Sequence, residues 1–159
     1  MLQAIVTVGL PGSGKTTFVK QLMEFVDVSQ WEYFSGDDVR LELRGDVANQ
    51  SNPGEIWAEV HRRVQAALAH GRNVVVDGVF TKRVDRKSLL SNCFSRTNDV
   101  EVICLRFVTP EETARAWNSS RQRVVPDGAI TKNTANLVKF PPEKWEGFSE
   151  IIEVDPSRV

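Results

Sequence analysis

The segment from Gly9 to Thr17 constrains this chain most strongly, because it reads Gly-Leu-Pro-Gly-Ser-Gly-Lys-Thr-Thr. It fits the pattern of a phosphate-binding loop, in which a glycine, four further residues and Gly-Lys-Ser/Thr follow one another. The apolar run Ala4–Val8 precedes the loop, and apolar residues at helical spacing follow it. A buried strand, a glycine-rich loop and a helix in this order predict an α/β fold that binds a nucleotide beyond its first strand.

The residue types in this loop suit the binding of phosphate. Glycines allow a tight turn that directs backbone N–H groups inward, and the following helix adds the positive end of its dipole. Lys15 is predicted to bind the outer phosphates, and the Thr16 hydroxyl is predicted to be a ligand of Mg²⁺. The predicted nucleotide-binding residues are Gly9, Pro11, Gly12, Ser13, Gly14, Lys15, Thr16 and Thr17.

Composition narrows the classes of protein that remain. The chain has 159 residues, of which 41% are hydrophobic and 26% are charged, which is typical of one globular domain. A net charge of −1 gives no overall field that attracts nucleic acid or a membrane, so any contact with nucleic acid should be local. Cys93 and Cys104 are predicted to be reduced core residues, and no signal peptide or membrane span is expected. We therefore expect a cytoplasmic protein without membrane association, and the sequence implies no protein partner.

Apolar runs alternate with helical patterns along the rest of the chain. Strands are predicted at 4–8, 31–35, 73–77, 101–107 and 151–154. Asn52 and Pro53 are predicted to begin one of the intervening helices, and Thr109 and Pro110 another through a capping box. This alternation predicts a five-stranded parallel sheet between two layers of helices, a three-layer α/β/α fold. Ligands of such sheets bind beyond the carboxyl ends of the strands.

Two acidic residues are predicted to lie at that edge of the sheet. Asp77 ends the third strand, where phosphate-loop enzymes place an acid that holds Mg²⁺, although a turn or cap residue is the alternative. Asp37 follows the second strand and suits a general base, and either Asp37 or Asp38 is expected to be the N-cap of the next helix. Arg40, one turn further on, suits a partner for an acceptor phosphate or an acid, and a solvated helix face is the alternative.

Basic residues form two further groups. A lid is predicted over about 115–128, and its arginines would stabilise the charge of a phosphoryl group in transfer, although at least one is expected to face solvent. These residues are Arg115, Arg121 and Arg123. The second group is interpreted as a solvent-exposed helix face, with guidance of a phosphorylated acceptor as the alternative. It comprises Lys82, Arg83, Arg86 and Lys87. His61 and His70 lack the spacing of a metal site.

Four segments, distributed along nearly the whole chain from residue 9 to residue 152, carry a resemblance to a known family. They are residues 9–18, Ser35-Gly-Asp-Asp-Val-Arg40, Val74-Val-Val-Asp77 and the closing Phe140-Pro-Pro-Glu-Lys-Trp-Glu-Gly-Phe-Ser-Glu-Ile-Ile152. The chain resembles the kinase domain of polynucleotide 5′-hydroxyl kinases, in the adenylate-kinase-like group of phosphate-loop kinases. Two departures lie near the implied acceptor pocket: the family's Asp-x-Thr-Asn is Asp77-Gly-Val-Phe80 here, and Gly36 replaces an arginine.

The resemblance implies ATP as the phosphate donor and Mg²⁺ as the metal, with Lys15 and Thr16 at the ATP phosphates and the metal. It also implies a role for each residue around the acceptor. Asp37 would be the general base, Arg40 a ligand of the acceptor's phosphate, Asp77 a residue of the acceptor and metal side, and Arg121 or Arg123 the lid arginine.

The sequence therefore predicts a single phosphate-loop kinase domain over residues 1–159. We expect it to move the γ-phosphoryl group of ATP to a hydroxyl, with the 5′-hydroxyl end of RNA or DNA as the favoured acceptor. A kinase of a small hydroxylated metabolite or antibiotic is the first alternative. A non-catalytic nucleotide-dependent switch or binding module is an alternative of a different class.

Overall fold

The computed structural model describes residues 1–95 and 99–158 and contains a five-stranded parallel sheet. The strands are β1 (Leu2–Val8), β2 (Trp31–Ser35), β3 (Asn73–Asp77), β4 (Val100–Phe107) and β5 (Glu150–Val154). Their order across the sheet is β2-β3-β1-β4-β5, and each neighbouring pair is parallel. The predicted α/β fold is confirmed.

Six α-helices connect or follow these strands in the described residues. They are α1 (Lys15–Met23), α2 (Gly36–Arg44), α3 (Pro53–Ala69), α4 (Arg83–Leu89), α5 (Glu111–Ser119) and α6 (Asp127–Lys139). A π-helical turn at Leu90–Phe94 extends α4, and 3₁₀ turns occupy Lys144–Glu146 and Pro156–Arg158. None of these helices is long and apolar enough to cross a membrane.

The sheet is covered on both faces, which explains why its central strands are continuous apolar runs. Alternate residues of β1 and β3 point to opposite faces. Val6 and Val74 pack in one core cluster with Val60 of α3, whereas Val75 packs in a second cluster with Val19 of α1. Cys93 and Cys104 are buried free thiols of the core, as predicted, and burial raises the pKa of each to about 12.

Helix starts follow the sequence signals only in part. The Asn52 side chain accepts a hydrogen bond from the Glu55 N–H at 3.3 Å, so the predicted N-cap of α3 is confirmed. The prediction that Asp37 or Asp38 caps α2 is wrong, because the Ser35 hydroxyl accepts the Asp38 N–H at 3.0 Å and both acids lie in the first turn.

The predicted capping box at Thr109 is also wrong. Helix α5 begins at Glu111, and Pro110 stands at its cap position without a side-chain cap. The Thr109 hydroxyl instead donates a hydrogen bond to the Ser13 carbonyl oxygen at 2.7 Å. This bond gives a buried carbonyl oxygen of the phosphate-binding loop its partner. Leaving that oxygen unpaired would cost more free energy than leaving the end of α5 uncapped, because water can reach the helix end.

Arg86 contradicts the interpretation of its cluster as a solvent-exposed helix face. Lys82 and Lys87 are exposed, but Arg86 is 0% exposed. Its guanidinium donates to the Glu146 carboxylate at 2.8 and 3.2 Å and to the carbonyl oxygens of Phe80 and Phe140 at 2.8 and 2.9 Å. Arg86 therefore joins the segment after β3 to the loop that precedes β5.

Candidate active site

A cleft of about 1150 Å³ lies at the carboxyl edge of the sheet and contains the predicted catalytic residues. Its lining includes Lys15, Asp37, Arg40, Asp77, Arg121 and Arg123, together with Pro11, Gly12, Gly14, Thr16 and Thr17 of the loop. Gly9 and Ser13 support the loop from outside this lining. The Gly9 N–H donates to the Val79 carbonyl oxygen at 3.0 Å, and Ser13 is buried. Arg115 pairs with Glu111 and Asp127 outside the cleft lining.

The glycines of the loop are fitted to a conformation and a space that other residues would not tolerate. Gly12 has φ 76° and Gly14 has φ 89°, values that L-amino acids with side chains rarely adopt. A Cβ atom on Gly12 would lie 2.8 Å from the Ala114 carbonyl oxygen, so the loop packs directly against α5. This tight turn before the N-terminus of α1 is the geometry that cradles phosphate.

Lys15 is buried within the loop that it belongs to. Its Nζ atom donates to the Leu10 carbonyl oxygen at 2.6 Å. Burial disfavours the charged ammonium and lowers the pKa of Lys15 to about 8, Asp77 opposes this shift, and Arg121 adds to it. A phosphate group beside Lys15 would stabilise the ammonium charge and so offset the loss of solvation by water.

Asp77 is held by hydroxyl groups from three other elements. Its Oδ2 atom accepts hydrogen bonds from Thr16 Oγ1 at 2.7 Å and from the Tyr33 hydroxyl at 2.5 Å. Its Oδ1 atom lies 3.2 Å from Thr7 Oγ1, whose single proton is shared between this contact and a shorter one, 2.7 Å, to the Gly78 carbonyl oxygen. Burial and the charge of Asp77 raise the pKa of Tyr33, so the phenol remains a donor to the carboxylate.

The pair formed by Thr16 and Asp77 fits Mg²⁺ by the chemistry of its donors. A hydroxyl and a carboxylate are hard oxygen ligands, and Mg²⁺ usually combines one or two such protein ligands with water and substrate phosphates. The described residues contain no group of three or more His, Cys, Asp or Glu side chains arranged for a metal. A metal at this pair would therefore depend on phosphate oxygens and water for its remaining ligands.

Asp37 is flanked by two arginines. The Arg40 Nη1 atom donates to Asp37 Oδ1 at 2.7 Å, and the Arg123 Nη1 atom lies 3.2 Å from both carboxylate oxygens. The Arg40 side chain is only 8% exposed, whereas that of Asp37 is 48% exposed. Arg40 therefore belongs to the wall of the cleft, and its alternative interpretation as a solvated helix residue is wrong.

The loop between α5 and α6 carries Arg121 and Arg123 and is closed at its base by Asn118. This buried side chain donates to the Val125 carbonyl oxygen at 2.9 Å and accepts the Val125 N–H at 3.1 Å. Arg121 is near enough to Lys15 to lower its pKa, whereas Arg123 pairs with Asp37. Both arginines line the cleft, and Arg123 is the one that forms an ion pair with Asp37.

Sequence reasoning missed the residues that support the site. Thr7, Tyr33 and Asn118 lie in strands or helices and belong to no motif that the sequence displays. The one available signal was Thr7, because it is a polar residue in an otherwise apolar strand whose carboxyl end leads into the loop.

The sheet order, the phosphate-binding loop after β1 and the acid that ends β3 define a phosphate-loop kinase-like domain, a class of nucleotide-binding proteins. The chain belongs to the AAA_33 family, described as an AAA domain, whose family model matches residues 5–139.

Solved structures agree with this assignment. A chain of the Pnkp1/Rnl/Hen1 RNA repair complex is 24% identical with a TM-score of 0.73, and the match covers 87% of this chain and 44% of that chain. A gluconokinase from Sinorhizobium meliloti 1021 is 19% identical with a TM-score of 0.59, covering 96% and 82%. Chaetomium thermophilum Kti12 in complex with ADP-AlF3 is 22% identical with a TM-score of 0.61, covering 96% and 89%. The chain spans less than half the length of the RNA repair chain.

Proposed function

We propose that this chain transfers the γ-phosphoryl group of ATP to a hydroxyl, and that its acceptor is the 5′-hydroxyl end of RNA or DNA. The observation that carries the proposal is the placement of Asp37, between Arg40 and Arg123, in the same cleft as Lys15 and the phosphate-binding loop. A protein that only binds nucleotide has no need of a carboxylate base in this cleft.

The donor half of the cleft is proposed to hold the ATP phosphates. The N–H groups of the loop and the Lys15 ammonium would bind their oxygens, and Thr16 and Asp77 would hold Mg²⁺. When bound, Mg²⁺ neutralises negative charge on the β- and γ-phosphates. The structural relative crystallised with ADP-AlF3 supports a nucleotide in this half.

The acceptor half is proposed to supply the base. The acceptor oxygen forms a bond to the γ-phosphorus as the bond from that phosphorus to the bridging β–γ oxygen breaks, and ADP leaves. The Asp37 carboxylate takes the proton of the attacking hydroxyl. Asp37 bonds both arginines in this structure, and transfer of Arg123 to the donor phosphates would free the Oδ2 atom, which it contacts at 3.2 Å, for the attacking hydroxyl.

Nucleotide affinity is expected to fall as the pH rises above about 8, the value to which burial lowers the pKa of Lys15. Only the protonated Lys15 ammonium binds phosphate. Above this pKa, Lys15 is mostly neutral in the nucleotide-free protein and must take up a proton when the nucleotide binds. The dissociation constant should rise about tenfold per pH unit above that pKa until the pKa of the complex is reached. Calorimetric titration with ADP between pH 6.5 and 10 measures this slope. The Lys15→Met variant should bind ADP weakly at every pH and should not show this pH dependence. An equal slope in the variant would contradict the assignment of the slope to Lys15.

The proposed reaction is tested by transfer of label from γ-labelled ATP to a short oligonucleotide with a 5′-hydroxyl end. Wild-type protein should label the oligonucleotide, and the apparent affinity for it should decrease as ionic strength increases. Lys15→Ala should abolish labelling, whereas Lys87→Ala, which changes an exposed lysine outside the cleft lining, should not. Binding of ATP without labelling of RNA or DNA would reject the polynucleotide acceptor.

A small hydroxylated metabolite is the second candidate acceptor. The segment Gly78-Val-Phe80 departs from the polynucleotide kinase pattern beside Asp77, and its residues Gly78 and Val79 line the cleft. Consumption of ATP that is stimulated by a polyol or sugar acid, but not by a 5′-hydroxyl oligonucleotide, would favour this candidate. Binding of ATP with no stimulation by either acceptor would favour the nucleotide-dependent switch.

A further inference from the structure

Trp57 occupies the part of the cleft where the sequence departs from the polynucleotide kinase pattern. We infer that its indole ring forms a stacking platform for the nucleobase of the acceptor's terminal nucleoside, a subsite that rests on the proposed function and specifies its acceptor. Trp57 belongs to α3, is partly exposed and lines the cleft together with Asp37 and Asp77.

The indole fills the space left by two glycines that adjoin the two acids. A Cβ atom on Gly36, next to Asp37, would lie 3.0 Å from Trp57 Cζ2. A Cβ atom on Gly78, next to Asp77, would lie 3.0 Å from Trp57 Cη2. Gly36, which replaces the family's arginine, therefore makes room for the ring beside Asp37, and Gly78 makes room for the same ring and for Phe80 beside Asp77.

Phe80 and the residues bonded to its segment hold the indole ring of Trp57 in place. Phe80 packs edge-on against it, with 5.1 Å between ring centroids and 61° between planes. Phe80 itself has φ 44°, and its carbonyl oxygen accepts a hydrogen bond from the buried Arg86 at 2.8 Å. The Thr81 hydroxyl, one residue later, donates to Asn133 Oδ1 at 2.5 Å. A platform held this firmly loses little side-chain entropy when a ligand stacks on it.

The surrounding lining favours a nucleobase over a sugar or polyol. The cleft that Trp57 lines includes apolar side chains, among them Val47, Pro53 and Val79, and the amide of Gln50. A polyol or sugar acid has no flat face to stack on the indole, so its contacts would be limited to hydrogen bonds with polar groups such as Asp37 and Asp77 and with water. A nucleobase presents a flat face for the indole and a few polar groups at its edge, which a single amide can meet.

The inference is tested with two 5′-hydroxyl oligonucleotides that differ only in whether the first nucleotide carries its base or is abasic. For wild-type protein, KM for the abasic oligonucleotide should be roughly ten- to a hundredfold higher, as expected for loss of one base–aromatic stack. Trp57→Leu should reduce this ratio to near one, and Trp57→Phe should retain most of it. Trp145→Leu is the control, because Trp145 is 72% exposed, stacks on Arg83 and does not line the cleft.

Each outcome of this comparison decides a separate question. Equal KM values for the two oligonucleotides with wild-type protein would overturn the platform while leaving the polynucleotide acceptor in place, whether or not the Trp57 variants fold. A ratio that persists in a folded Trp57→Leu protein would assign the preference to other residues and also overturn the inference. Transfer to neither oligonucleotide, with ATP binding retained, would reject the proposed function and the platform with it.

Discussion

Replacement of Asp37 by asparagine is expected to lower the rate of phosphoryl transfer by roughly 10²–10⁴-fold, the range that a positioned general base contributes. Asparagine has the same shape, and its amide oxygen can still accept the hydrogen bond that Arg40 donates at 2.7 Å. It cannot take a proton from the attacking hydroxyl. Single-turnover transfer from γ-labelled ATP measures the rate, and calorimetry should show that ATP still binds with nearly unchanged affinity.

Asp38 provides the matched control for this experiment. It is the adjacent acid in the first turn of α2, it is exposed, and neither Arg40 nor Arg123 pairs with it among the contacts of the described residues. Asp38→Asn should retain most of the transfer rate. Full activity of Asp37→Asn would reject the proposed base, and equal losses in both variants would indicate that the charge of this turn matters rather than one carboxylate.

Replacement of Arg86 by alanine is expected to have the largest effect on stability, a loss of about 3–5 kcal/mol in the free energy of unfolding. The side chain of Glu146 is only 3% exposed, so this change would leave a buried carboxylate without its bidentate partner. The carbonyl oxygens of Phe80 and Phe140 would also lose their donor. Urea denaturation at neutral pH, followed by circular dichroism, measures the change.

Two comparisons identify the cause of the effect of Arg86→Ala. Arg62→Ala removes an exposed arginine that pairs with Glu59 on the surface of α3, and little measurable change is expected. The double variant Arg86→Met/Glu146→Leu replaces the buried pair with apolar side chains and should recover part of the stability, because the buried carboxylate is no longer left without its partner. The carbonyl oxygens of Phe80 and Phe140 still lack their donor in this variant, so full recovery is not expected. Arg86→Ala within 1 kcal/mol of wild type would contradict the importance of this ion pair.

The fold followed closely from the sequence because burial of a parallel sheet on both faces leaves a strong local signal. The apolar runs predicted the five strands to within two residues at each end, with the bounds of β2 and β3 as observed. The positions of Asp37 and Asp77 in one cleft followed from the same pattern, since parallel strands place their carboxyl ends at one edge.

The supporting residues could not be predicted because their partners are distant in sequence. From the sequence, Arg86 is interpreted as part of a solvated basic cluster. Its buried partner Glu146 lies 60 positions away, so no local pattern indicates the pair. Tyr33 and Trp57 read as ordinary members of a strand and a helix. Only the folded arrangement brings Tyr33 to Asp77 and places Trp57 between Gly36 and Gly78.

The phosphate-binding loop and the surroundings of Trp57 come from separate pieces of the chain, and this division has an evolutionary consequence. The phosphate-binding residues belong to one turn between β1 and α1, whereas the ring of Trp57 and the two glycines beside it come from α3, the start of α2 and the end of β3. Substitutions at positions 36, 57 and 78 reshape the second of these without altering any residue of the phosphate-binding loop. Selection, or a designed library confined to these three positions, can therefore vary the proposed acceptor subsite while the sequence of the phosphate-binding loop is inherited unchanged.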